Sequence, residues 1–181
     1  MTLIKKREKR IFNAYTKIDE ATFELGGETF TREKVVRPAA VACLIKNVET
    51  NDVILVRQHR YAVEEHESED ILEVVAGKID DGETPREAIK REIFEEIGYE
   101  IDDSNLSQPI ITYPSIGYST EKIYLFAGFV VNANQKTEGG GLTSEHENIN
   151  IVHMNIDSFN EKIRTNEIKD AKTILCSNIL P

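Results

Sequence analysis

The chain has 181 residues, enough for one domain with a proper core and a small N-terminal extension. Its 40% apolar and 30% charged residues are ordinary for a soluble globular protein, and a net charge of −10 argues against a nucleic-acid backbone as its main partner. No apolar run approaches membrane-spanning length, and no apolar signal core follows the basic start MTLIKKREKR. Cys43 and Cys176 lie in apolar runs, which favours buried free thiols over a disulfide and fits a cytoplasmic protein.

Residues 11–36 read as two or three strands, IFNAY, ATFEL and ETFTREKVV, with Gly26-Gly27 as a hairpin turn. Two β-branched runs follow at 38–46 and 52–61, around a polar turn from Asn47 to Asn51. Residues 70–77, DILEVVAG, form a short strand leading into a helix. That helix opens on a capping box, Thr84 with Glu87, has Pro85 at its first position and stops at Gly98. Ile89, Ile93 and Ile97 give it an apolar stripe. Strands are expected at 109–114 and 122–131, the latter apolar enough to be central. Gly139-Gly140-Gly141 then open an acidic loop before a strand at 149–154. Helices at about 156–167 and 169–179 close the chain, the first capped by Asp157 or Ser158. Strands around one central helix, with a helical tail, make an α+β sandwich.

The stretch from Gly77 to Tyr99, GKIDDGETPREAIKREIFEEIGY, carries the chemistry. Glu92, Glu95 and Glu96 share one helix face. Carboxylates so close repel one another unless a cation sits among them. Hard oxygen ligands suit Mg²⁺ or Mn²⁺, ions that usually serve phosphate chemistry. A solvated acidic helix face is the plainer reading of three glutamates, but it leaves the spacing of Gly77, Glu83, Arg91 and Gly98 unexplained. At roughly 6% usage each, seven such identities coincide by chance on the order of 10⁻⁶ of the time in a chain this long.

The segment resembles the Nudix box, with Tyr99 in the last aliphatic slot as its one departure. VRQHRY before the box, the triple glycine after it and NEIKDAKTI near the end extend the likeness over most of residues 11–180. In these the chain is similar to the ADP-ribose and GDP-mannose pyrophosphatases of the Nudix hydrolase superfamily. The resemblance implies an α/β/α Nudix sandwich with a mixed sheet. Residues 1–37 would be a strand extension serving a homodimer, and 38–181 the hydrolase domain. It also implies Mg²⁺-dependent cleavage of a nucleoside diphosphate sugar.

A pyrophosphate is densely charged, and two or three divalent ions can neutralise it, orient it and activate a water molecule. Glu92 and Glu96 are the expected main ligands, with Glu95 completing the catalytic cluster. The resemblance adds the Ala76 carbonyl and Glu147 as ligands, Glu145 as general base, and Arg32, Arg60, Gly77, Lys78 and Lys172 as substrate contacts. Gly77 has a physical reason too, since a missing Cβ lets the loop approach the metal closely. Arg91 and Glu83 are read as a brace between loop and helix rather than as catalysts. Arg57 is either a substrate contact or an exposed sheet end, and His146 is given no catalytic role.

Where the subfamily commonly has Ser-Pro-Gly, this chain has Ser115-Ile116-Gly117, with a proline at Pro114. The triple glycine and Lys172-Thr173 lean toward a GDP-mannose-like enzyme. Two alternatives keep the fold: hydrolysis of a dinucleoside polyphosphate or oxidised nucleotide, and a ligand sensor without catalysis. Sensors of that kind usually lose box glutamates, and this chain keeps Glu83, Glu92, Glu95 and Glu96.

Overall fold

A computed structural model describes residues 1–142 and 148–180. They fall into two compact units, Met1–Ala39 with Thr112–Ile123, and Ala40–Ile111 with the chain from Tyr124 onward.

The first unit is a three-stranded antiparallel sheet in the order β1 (Ile4–Asn13), β2 (Lys17–Leu25), β3 (Glu28–Val36). β1 begins well before the expected residue 11. Its basic residues lack apolar alternation, but three of them find an acid on the neighbouring strand: Lys6 with Glu24, Lys9 with Glu20, Arg10 with Asp19. Cross-strand pairs of opposite charge stabilise a sheet modestly. Phe23 and Phe30, directly opposite in register, stack with centroids 5.9 Å apart, and Arg32 lies 5.3 Å over the Phe30 ring. β3 is also held by the 115–120 segment, where Val35 donates to the Tyr118 carbonyl and Thr120 donates to that of Val35. Ile4, Ile11, Phe12 and Tyr15 stay exposed.

The second unit is built on a sheet with the order β10-β5-β4-β9-β8. Its strands are β4 (Ala40–Asn47), β5 (Asp52–Gln58), β6 (Ile71–Glu73), β7 (Val75–Lys78), β8 (Ile110–Thr112), β9 (Ile123–Val130) and β10 (Asn150–Asn155). Short β6 pairs with β5 and short β7 with β4. The expected single strand at 70–77 is therefore two. The chain steps from β5 to β4 at Val74, whose N–H leaves the ladder and donates to Thr173 Oγ1 at 2.9 Å.

Alternation along β4 explains the layers. Val41, Cys43 and Ile45 pack with Ile54, Val56 and Val75 against Ala88, Ile89, Ile93 and Ile97 of helix α1 (Pro85–Ile97). Ala42 and Leu44 alternate with them and are equally buried, as are Val53 and Leu55 on β5. Helix α2 (Ile156–Arg164) packs on β5 and β10, helix α3 (Ala171–Ser177) on β4, and both contribute buried groups, Phe159 and Cys176. With both faces covered, the strands read as near-continuous apolar runs. Cys43 and Cys176 are free and buried. The α2 cap differs from expectation: Asn155, rather than Asp157 or Ser158, accepts from the Asp157 N–H. Among the described residues no helix is long and apolar enough to cross a membrane.

Thr173 is fully buried and joins α3 to the β6–β7 step, donating to Asp170 Oδ2 while accepting from Val74. Thr173→Val keeps the shape but orphans a buried N–H, so urea unfolding should show a loss of about 1–3 kcal/mol, largely restored by Thr173→Ser.

Candidate active site

Helix α1 starts as its sequence dictates: Thr84 Oγ1 accepts from the Glu87 N–H, and Glu87 accepts from the Thr84 N–H at 2.9 Å. With its isoleucine stripe sealed in the core, the adjoining side carries Glu92 and Glu96, only 9% and 2% exposed. Burying two carboxylates one turn apart requires compensation.

Arg91 supplies part of it. Its Nε and Nη2 donate to the two oxygens of Glu83, both at 3.0 Å, and Nη2 also donates to the Lys78 carbonyl at 3.0 Å. Nη1 donates to Glu92 Oε1 at 2.8 Å and to Glu95 Oε2 at 3.0 Å. These contacts use all five guanidinium N–H groups, so Arg91 is spent on bracing, as its spacing predicted. Its hydrogen bonds, against the opposing push of burial, hold the Glu83 carboxyl below the usual range. Glu83 in turn accepts from the Asp80 N–H and pins the loop.

Glu96 turns the other way, its Oε2 accepting from the Ala76 N–H at 3.2 Å. Gly77 sits directly against Glu92: a Cβ there would lie 1.8 Å from Glu92 Oε1. At the far end of α1, the Gly140 and Gly141 N–H groups donate to the carbonyls of Glu96 and Glu95 at 2.8 and 3.1 Å. Gly139, at φ +65°, has no room for a Cβ, which would fall 2.6 Å from the Glu96 carbonyl oxygen. The root of the acidic loop is thus fixed at the end of this helix. Glu145, His146 and Glu147 lie outside the described residues.

A divalent cation fits this arrangement. Glu83, Glu92 and Glu95 share the Arg91 guanidinium while Glu96 accepts from the Ala76 N–H, which gathers acidic hard oxygens beside β7, where Gly77 lies against Glu92 with no room for a Cβ. Among the described residues, no three His, Cys, Asp or Glu side chains converge as a closed cage. Glu92 and Glu95 are gathered by Arg91 while Glu96 points to the backbone, so the expected three-glutamate cluster is split. Mg²⁺ rarely needs such a cage, because it keeps waters and shares phosphate oxygens beside one or two carboxylates.

A second charged network lies beside the first. Glu73, 2% exposed, accepts from Arg60 Nε at 2.5 Å and Nη2 at 3.0 Å, and from Lys172 Nζ at 2.8 Å. Lys172 also donates to Asp170 Oδ1 at 2.8 Å, while Asp170 Oδ2 caps α3 at the Thr173 N–H. Burial opposes both charges, but their mutual attraction prevails: Asp170 stays below its usual range and Lys172 above. Arg60 and Lys172, both expected at the substrate, therefore share one buried carboxylate that the sequence reading missed. Its signal was a lone glutamate in the apolar run ILEVV, since buried charges are seldom unpaired. Of the remaining expected residues, Lys78 lies at the exposed end of β7, Arg57 is exposed on β5, and Arg32 belongs to the first unit.

Two outcomes follow from this geometry. Gly77→Ala should remain folded by circular dichroism yet bind Mn²⁺ at least about tenfold more weakly, because Glu92 must move to admit the methyl group. Asp170→Asn keeps the helix cap but removes the charge. The stabilisation by Asp170 is present above an unfolded pKa of about 3.9 and lost as pH falls through the lower folded value. The stabilisation by Lys172 is present below about 10.4 and lost as pH rises through its raised folded value. Urea unfolding should therefore show the variant weaker by about 1–3 kcal/mol at neutral pH, with a smaller further loss on acidification than wild type.

Residues 36–174 match the family described as NUDIX domain. The chain is 32% identical over 187 residues to a GDP-mannose pyrophosphatase of Escherichia coli (strain SMS-3-5 / SECEC), covering 99% of this chain and 94% of that protein. It is 33% identical over 176 residues to a GDP-mannose pyrophosphatase of Cronobacter sakazakii (strain ATCC BAA-894), covering 93% and 90%. A crystal structure described as an ADP compounds hydrolase superposes with a TM-score of 0.78 at 18% identity, covering 99% of this chain and 92% of that one, a likeness of fold. With its box glutamates, their arginine brace and a family match over most of its length, this chain belongs to the NUDIX domain family.

Proposed function

We propose that the protein hydrolyses the pyrophosphate bond of a nucleoside diphosphate sugar, GDP-mannose or ADP-ribose, to a nucleoside monophosphate and a sugar phosphate. The observation that carries this is the braced carboxylate site at Glu92, Glu95 and Glu96, bordered by Ala76 and Gly77 of β7. Near-full-length similarity to proteins named GDP-mannose pyrophosphatase supports the substrate class.

Divalent ions, Mg²⁺ first and Mn²⁺ as its substitute, supply charge neutralisation and an acidified water when bound. Glu92 and Glu96, with Glu95 and the Ala76 carbonyl, hold them, and Glu147 adds a further oxygen. Glu145 takes the proton from the attacking water. Arg60 and Lys172 receive the phosphates, a guanidinium being suited to paired phosphate oxygens. Gly77 and Lys78 border the substrate on the β7 side. The water oxygen adds to one phosphorus, the bridging oxygen leaves with the other phosphate, and two protons are released as both monophosphates become dianions. Residues 1–37 form a dimerisation extension to a 38–181 hydrolase domain, and Arg32 reaches substrate across the dimer. Exposed Ile4, Ile11, Phe12 and Tyr15 on the extension support pairing with a second copy. The net charge of −10 and the free thiols support a cytoplasmic enzyme without nucleic-acid or membrane partners.

A panel of nucleotide sugars, dinucleoside polyphosphates and oxidised nucleotides with Mg²⁺, read by product chromatography, should show a nucleotide sugar split into two monophosphates; turnover of another class alone would refute the assignment. Glu96→Gln should leave the circular dichroism spectrum intact and lower kcat by at least about 10²-fold. Sedimentation should give about twice the 20.5 kDa chain mass, and an active monomer lacking residues 1–37 would contradict the dimer.

A further inference from the structure

Among the described residues three charged side chains are buried, and Glu73 alone of them lies outside the box. Its carboxylate gathers cations from two separate stretches: Arg60, in the irregular chain after β5, and Lys172, on α3. Ion networks of this kind contribute little net stability, since apolar replacements often do as well. Long cationic side chains, by contrast, lose much rotamer freedom when they must be ordered on a ligand, and holding them beforehand removes that cost.

The geometry has the form such ordering requires. Glu73 takes the Nε–Nη2 edge of Arg60 and leaves both Nη1 hydrogens pointing away from it. The Arg60 side chain is 42% exposed above a carboxylate that is only 3% exposed. Lys172 spends two of its three hydrogens, on Glu73 and Asp170, and is 20% exposed. The field of Glu96 also reaches Arg60, which sets the pair at the edge of the box helix.

We propose that Glu73 is a positioning residue, locking Arg60 and Lys172 side by side as a preformed clamp for the two singly charged phosphates of the substrate. The inference rests on the hydrolase reading above. Glu73 touches no substrate itself; it acts through the two cations.

Binding of inorganic pyrophosphate to the full chain, followed by calorimetry without metal, reads the clamp independently of turnover. Glu73→Gln should weaken that binding by at least about tenfold. With GDP-mannose and Mg²⁺ it should raise KM by a similar factor and change kcat by less than about threefold, the pattern of lost binding rather than lost active protein. Glu73→Asp, which keeps the charge, should fall between the two. In a Lys172→Ala background Glu73→Gln should add less than about twofold, because the two act as one unit. Unchanged pyrophosphate affinity in Glu73→Gln, losses that multiply in the double variant, or no pyrophosphate binding by wild type each overturn the proposal. Should Glu73→Gln fail to fold, Glu73→Asp decides, and wild-type affinity there overturns it. A wild-type protein that binds pyrophosphate through Glu73 but cleaves no nucleotide sugar would leave the clamp standing and remove the proposed activity.

Discussion

Mutual repulsion among the carboxylates of α1 is the constraint on which the second unit depends. Glu92 and Glu96 are buried one turn apart, with Glu95 between them and Glu83 facing them from the loop. One guanidinium with five committed donors offsets part of that charge. The Ala76 N–H, bonded to Glu96, and the field of Arg60 act on the same group of carboxylates. Such a concentration of hard oxygens is the setting that suits a divalent ion.

The 71–78 segment ties the parts together. Glu73 anchors the two cations, and Val74 steps between strands and bonds to Thr173. Ala76 donates to Glu96, Gly77 leaves room for Glu92, and the Lys78 carbonyl receives Arg91. The step at Val74 gives its own N–H to Thr173, β7 offers the Ala76 N–H and the Lys78 carbonyl to α1, and the flanking pairs keep the segment fixed on β4 and β5.

Legibility in the sequence followed the range of the interactions involved. Local signals were sufficient for α1: the Thr84–Glu87 box, Pro85, the isoleucine stripe and the Gly98 stop all stand as read. The Arg91–Glu83 brace was readable because both lie in one motif eight residues apart. β1 was not, since Lys6, Lys9 and Arg10 of this strand are answered by acids on β2, out of reach of any local pattern. The break at Val74 depends on Thr173, 99 residues away, and the engagement of Lys172 on Glu73 spans the same distance. The α2 cap was missed by a smaller margin, Asn155 being the nearer oxygen to the first free N–H. A polar residue inside an apolar strand was the one visible trace of the second network.

Direct observation of the cation without any substrate is the sharpest test of this picture. Electron paramagnetic resonance of Mn²⁺ titrated into the protein should show bound ion, displaced by excess Mg²⁺ and absent from a folded Glu92→Gln/Glu96→Gln double variant. Mn²⁺ held equally well by that variant would place the metal elsewhere and contradict the central role of the α1 carboxylates.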